Sequence, residues 1–82
     1  MALSEQEILT GLAELISTEM EIPADTITPA QSLSEDLKID SLSMITIVYN
    51  AEEKFGVAIP DDEANKLVTV QDAVDYITSH QS

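Results

Sequence analysis

Eighty-two residues carry sixteen acidic side chains against three lysines and no arginine, a formal net charge of −13 at neutral pH. No basic face can form to displace counterions from phosphates, so direct nucleic-acid binding is excluded, and anionic membranes are disfavoured for the same reason. Cysteine is absent, so neither disulfides nor a thiolate metal site supplement the core of one small domain, which buries only roughly 60% of its unfolded surface.

The chain opens with "MALSEQEI", which lacks a basic segment followed by an apolar one. No apolar run nears the roughly 18 residues of a membrane span, so a cytoplasmic chain without membrane insertion is expected. Ser4 and Glu7 spell S-x-x-E, a capping box, and Ile8, Leu9, Leu12, Leu15 and Ile16 follow at helical spacing. The pattern predicts a helix from about residue 4 to 19. Gly11 inside it costs about 1 kcal/mol relative to alanine.

Residues 20–40, "MEIPADTITPAQSLSEDLKID", hold two prolines and many short polar side chains. A connection of this length inside a compact domain is normally pinned or functional. Ile22, Ile27, Leu33, Leu37 and Ile39 recur through it as candidate pins, and one short helical turn is expected. A second helix is predicted from about 41 to 55, with Asp40 as its N-cap and Gly56 as its stop. "VAIP" at 57–60 is too short for a sheet strand. Pro60 followed by "DDEANK" predicts a brief third helix with acids in its first turn. Thr69 opens the last helix, with Val70, Ala73, Val74 and Ile77 inward and Asp72 as a shorter version of the capping-box acid. The predicted architecture is all-α: a small four-helix bundle of three longer helices and one short one, with a long first loop.

The second helix carries more apolar surface than one core-facing stripe requires. On a wheel of about 100° per residue, Met44, Ile47, Val48, Ala51 and Phe55 form one broad stripe. Leu42, Ile45 and Tyr49 form an adjacent flank bordered by Glu52 and Glu53. Either the helix is central and buried on both faces, or the flank is an exposed patch for partners, rimmed by acids. On the second reading, charge reversal at Glu52 and Glu53 spares folding.

Catalytic chemistry is sparse. The single histidine, His80, sits two residues from the C-terminus, where fraying is expected, and no Cys–His or Ser–His pair activates a nucleophile. The acids lack calcium-loop spacing, no glycine-rich phosphate loop occurs, and no metal ligand set is found. Asp61 and Asp62 read as a helix N-terminus rather than an acid/base couple. Ser41 stands apart. Asp40 can cap the helix, leaving the Ser41 hydroxyl free at the first helical position, where unpaired N–H groups favour a phosphate and the Asp40 charge opposes it. The tripeptide D-S-L is weak evidence by itself.

With "DLKIDSLSM" around Ser41, "AEEKFGVAIPDD" at 51–62 and "TVQDAVDYI" at 69–77, the chain resembles bacterial acyl carrier proteins of dissociated (type II) fatty-acid synthesis over essentially its full length, and "DSLSM" looks like the actinobacterial branch. The resemblance implies a carrier and not an enzyme. A phosphopantetheinyl transferase of the holo-acyl-carrier-protein synthase type, using coenzyme A and magnesium, would attach 4′-phosphopantetheine to Ser41 as a phosphodiester. The thiol of that arm would carry acyl thioesters between malonyl transacylase, ketosynthases, ketoreductase, dehydratase and enoyl reductase. In family members the acyl chain can lie between the helices, inside the core.

Carried over by position, Leu42, Ile45, Tyr49, Glu52 and Glu53 correspond to the family's docking face. Many members have an acid directly after D-S-L and another three residues later. Here those positions are Ser43 and Thr46, so recognition leans on Glu35, Asp36, Asp40, Glu52 and Glu53. Tyr49 and Asn50 stand where smaller or aliphatic residues are common. A monomeric carrier filling residues 1–82 is expected. The alternatives are a carrier for polyketide or meromycolate-type long-chain elongation and an unmodified acidic helical adaptor.

Overall fold

The computed structural model describes residues 3–81. Four α-helices follow one another: α1 (Glu5–Met20), α2 (Ser41–Phe55), α3 (Asp61–Ala64) and α4 (Val70–His80), with a 3-10 turn at Ala24–Thr26 in the long loop. The described residues contain no strand, only an isolated antiparallel bridge between Ser32 and Thr69. The all-α bundle of three long helices and one short one is therefore as expected. No helix among these residues is long and apolar enough to cross a membrane.

Each long helix begins where its capping chemistry says it should. Ser4 is extended and receives the Glu7 N–H, while the Glu7 carboxylate takes the Ser4 N–H, so α1 starts one residue after the predicted boundary. Thr69 and Asp72 exchange the same pair of bonds at α4, which makes Asp72 a full capping-box partner. α3 is shorter than its sequence suggested. Pro60 offers no side-chain cap, and the helical backbone ends at Ala64.

α1 packs against both α2 and α4. The core is aliphatic: Ile8, Leu12 and Ile16 from α1 meet Ile47 and Ala51 from α2 and Val70, Val74 and Ile77 from α4. Leu9 and Leu15 flank this face and are half-buried. Gly11 is more than a weak helix former. A Cβ there would lie 2.9 Å from the Phe55 ring and 2.9 Å from Lys54 Cε, so its bareness lets the end of α2 close onto α1.

The long loop is pinned as its aliphatics predicted, except that Ile22 is only half-buried; Ile27, Leu33, Leu37 and Ile39 are all in the core. Lys38 takes a left-handed backbone (φ 60°), a conformation costing a non-glycine residue roughly 1–2 kcal/mol, and this turn lets Leu37 and Ile39 on either side both point inward. The loop is also sewn to the start of α4: Leu33 N–H donates to Val68 O (2.8 Å), Val70 N–H to Gln31 O and Gln71 N–H to Pro29 O (both 3.0 Å). His80 is the last helical residue. It closes α4 with its ring stacked on Tyr76, centroids 4.0 Å apart.

Candidate functional site

At the start of α2, Asp40 is extended and its carboxylate accepts the Ser43 N–H at 2.8 Å, while its carbonyl accepts the Met44 N–H at 2.9 Å. Bonds from the Ser43 N–H and then the Ser43 side chain, with a smaller contribution from the Leu42 N–H, hold the Asp40 carboxyl below its ordinary pKa against a small opposing effect of burial. Asp40 is therefore an ionised cap and a poor proton acceptor for its neighbour. Ser41 occupies the first helical position. It is exposed, and neither its hydroxyl nor its N–H makes a hydrogen bond among the described residues.

The two readings of the second helix are separated by exposure. Ile47 and Ala51 are buried, and Met44, Val48 and Phe55 are half-buried against the core. Leu42, Ile45 and Tyr49 are 76%, 64% and 59% exposed. The flank is open, not core. Hydrogen bonding to the Glu53 carboxylate, then its negative charge, raises the Tyr49 phenol above its ordinary pKa, so a neutral ring and hydroxyl stand beside an exposed acid.

The acids expected to share in recognition are used unequally. Glu35 and Glu53 are exposed and neither holds a backbone group through its carboxylate. Asp36 accepts the Ser32 N–H at 2.7 Å and Asp40 caps α2, so each has a local structural task as well as a charge. Glu52 differs most from expectation. It is half-buried and its Oε2 accepts the Ile59 N–H at 2.7 Å, so reversing its charge disturbs the fold locally instead of sparing it. A spacing of seven residues between an acid and a backbone N–H leaves no periodic signal in the sequence.

Ser41 lines a cleft of about 480 Å³ between α2 and the stretch 59–65 that contains α3. Met44, Ile45, Val48 and Tyr49 line one side, with Ile59, Asp61, Ala64 and Asn65 on the other. The second wall was not assigned from sequence, although "AIPDD" lies within a stretch singled out on other grounds. Beneath the cleft is a void of about 20 Å³ bounded only by apolar side chains, among them Leu12, Ile16, Leu33 and Ile77. The cleft thus combines the Ser41 hydroxyl, an apolar trough and the carboxylates of Glu52 and Asp61.

The family described as "Phosphopantetheine attachment site" matches residues 10–77. The chain is 58% identical to the acyl carrier protein of Acidothermus cellulolyticus, over 96% of this chain and 94% of that one. It is 57% identical to the acyl carrier protein of Beutenbergia cavernae over the whole of both chains. Its fold is similar to that of the acyl carrier protein from Enterococcus faecalis, with a TM-score of 0.80 at 38% identity, covering 96% of this chain and 100% of the other.

Proposed function

We propose, for a chain that belongs to the phosphopantetheine-attachment family of acyl carrier proteins, that Ser41 is the residue that bears the arm. Proteins of this family carry acyl groups and do not transform them, and their prosthetic group is 4′-phosphopantetheine. When bound, that group supplies a thiol that holds acyl chains as thioesters.

The observation that carries the assignment is the exposed, unbonded Ser41 hydroxyl opening onto the apolar cleft. Attachment makes a bond from Ser41 Oγ to the phosphorus nearest the pantetheine of coenzyme A. The bond from that phosphorus to the departing adenosine 3′,5′-bisphosphate breaks, and the hydroxyl proton leaves to a base. The low pKa of Asp40 makes it unsuited to that task, so the base belongs to the transferase. The Ser41 N–H remains available to an oxygen of the phosphodiester. Met44, Ile45, Val48 and Tyr49 give the arm an apolar bed.

The family implies dealings with a phosphopantetheinyl transferase and with enzymes of fatty-acid synthesis. We assign the chain to the cytoplasm as a monomeric single domain serving malonyl transacylase, ketosynthases, ketoreductase, dehydratase and enoyl reductase. Leu42, Ile45 and Tyr49 serve as the apolar contact. Glu53 and Glu35 are the freest charges for steering, with Asp36 and Asp40 adding to the field. Incubation of the apo protein with coenzyme A, magnesium and a broad-specificity transferase adds the mass of one phosphopantetheine, and Ser41→Ala abolishes it. Addition to the alanine variant, or none to the wild type, overturns the assignment. Elongation of the malonyl-loaded protein by a fatty-acid ketosynthase, in preference to polyketide or meromycolate-type enzymes, tests the pathway.

A further inference from the structure

Three side chains belong to both cavities. Met44, Val48 and Ile59 line the open cleft beside Ser41 and also bound the apolar void beneath it. They are the partition between the two. The void holds about 20 Å³, on the order of a single water's space, so it admits no more than a small group while the partition stands. Filling it with an aliphatic chain requires Ile59 to separate from Met44 and Val48.

Ile59 is held by Glu52. Met44, Val48 and Glu52 recur every four residues along one row of α2, so the tether continues the partition's own line. The Glu52 carbonyl accepts the Gly56 N–H at 2.9 Å and its carboxylate accepts the Ile59 N–H at 2.7 Å, so one residue grips both ends of the extended segment that follows α2. The segment's other side-chain tie is weaker: Tyr76 Oη donates to Ala58 O at 3.2 Å. Beyond it, α3 has no buried residue and no capping side chain.

We infer that Glu52 is the positioning residue that latches the partition shut through Ile59, and thereby decides which acyl chains of the loaded carrier pass from the cleft into the interior. The inference rests on the reading of Ser41 as the attachment residue. The acceptor oxygen, not the negative charge, performs this role. Passage of a chain moves Ile59 off the carboxylate, so the latch opposes filling, and its loss matters less once the interior is filled.

The test compares wild type with Glu52→Ala, Glu52→Asp, Glu52→Gln and the charge control Glu53→Gln. In the apo proteins, amide exchange at Ile59 becomes about tenfold faster in Glu52→Ala and Glu52→Asp, as expected for loss of one hydrogen bond, and stays near wild type in Glu52→Gln. In proteins loaded at Ser41, Glu52→Ala lowers the melting temperature of the bare-thiol form by several degrees and that of an octanoyl thioester by clearly less. The gap between the two forms widens, while Glu52→Gln and Glu53→Gln leave it unchanged. Unaltered Ile59 exchange in Glu52→Ala and Glu52→Asp overturns the inference whatever happens at Ser41. Equal lowering of both loaded forms also overturns it, making the bond an ordinary structural tie. Failure of the wild type to load at Ser41 counts against the attachment reading alone, and the exchange arm still decides the latch.

Discussion

α2 and α4 begin with the same kind of sequence, a capping residue followed by apolar side chains at helical spacing, yet their first turns are put to different use. At α4 the N–H groups of Val70, Gln71, Asp72 and Ala73 all find acceptors, in Gln31, Pro29 and Thr69. At α2 the Asp40 cap satisfies Ser43 and Met44 and leaves the Ser41 N–H and hydroxyl without partners. One helix start is sewn to the loop and the other is kept open. The difference extends through the molecule. α1 and α4 are further joined where Gln81 pairs with both the N–H and the carbonyl of Leu3 and where Gln71 reaches Glu5. The α2–α3 side carries the cleft, the exposed flank and an uncapped short helix. Stability is invested on one side so that the other can be opened and touched.

The largest effect expected from this division is in the closed half. Ile77 is 1% exposed on α4, and truncating a buried isoleucine costs roughly 2–5 kcal/mol. For a chain whose total stability is on the order of 4–12 kcal/mol, Ile77→Ala lowers the melting temperature by about 10 °C or more. A shift of only a few degrees, measured by circular dichroism, would mean that the α4 side is not where the stability resides.

Most of the frame was legible because capping and periodicity are local. Ser4 with Glu7, Asp40 with Gly56, and Thr69 with Asp72 mark the helix ends within a residue, and the buried faces of α1 and α4 follow their spacing. Ser41 was legible for the same reason, as the residue that follows a cap. The period of α2 could say that two adjacent sectors are apolar, but which one is covered depends on elements distant in sequence, and so does the Phe55 ring against Gly11. The task of Glu52 was hidden on similar grounds, since a side chain meeting a backbone N–H seven residues later repeats no pattern.

An intermediate effect is expected in acid, and it separates the two capped starts. Bonds from the Ser43 N–H and then the Ser43 side chain lower the Asp40 pKa, and those with Ser4 lower that of Glu7. A carboxyl whose pKa is lower in the folded than in the unfolded chain contributes stability above its unfolded value, and that contribution disappears as pH falls through the folded one. Both caps therefore weaken below about pH 4. Asp40→Asn keeps a capping oxygen, so stability at neutral pH changes little while the loss on acidification becomes shallower. Thermal melts from neutral to acidic pH check this, and an identical slope in wild type and variant would remove Asp40 from the account.

The smallest effect is expected on the open flank, and it is the sharpest test of the contrast. Ile45 is 64% exposed, and substitutions at such positions shift stability by no more than about 0.5 kcal/mol. Val48, one turn further along and half-buried against the core, is the matched control, and Val48→Ala lowers the melting temperature by more than Ile45→Ser does. The order reverses in function. On the proposed docking role of the flank, Ile45→Ser weakens productive encounter with the transferase or a ketosynthase. Glu53→Lys slows the same encounter through the association rate, and salt erases that difference because steering between exposed charges is screened over roughly 8 Å at physiological ionic strength. Glu53 is the right residue for this measurement, since replacing Glu52 by lysine removes the acceptor oxygen that holds Ile59. Should Ile45→Ser melt as early as Val48→Ala, the flank is part of the core in solution, and the division between a closed side and an open one fails at α2.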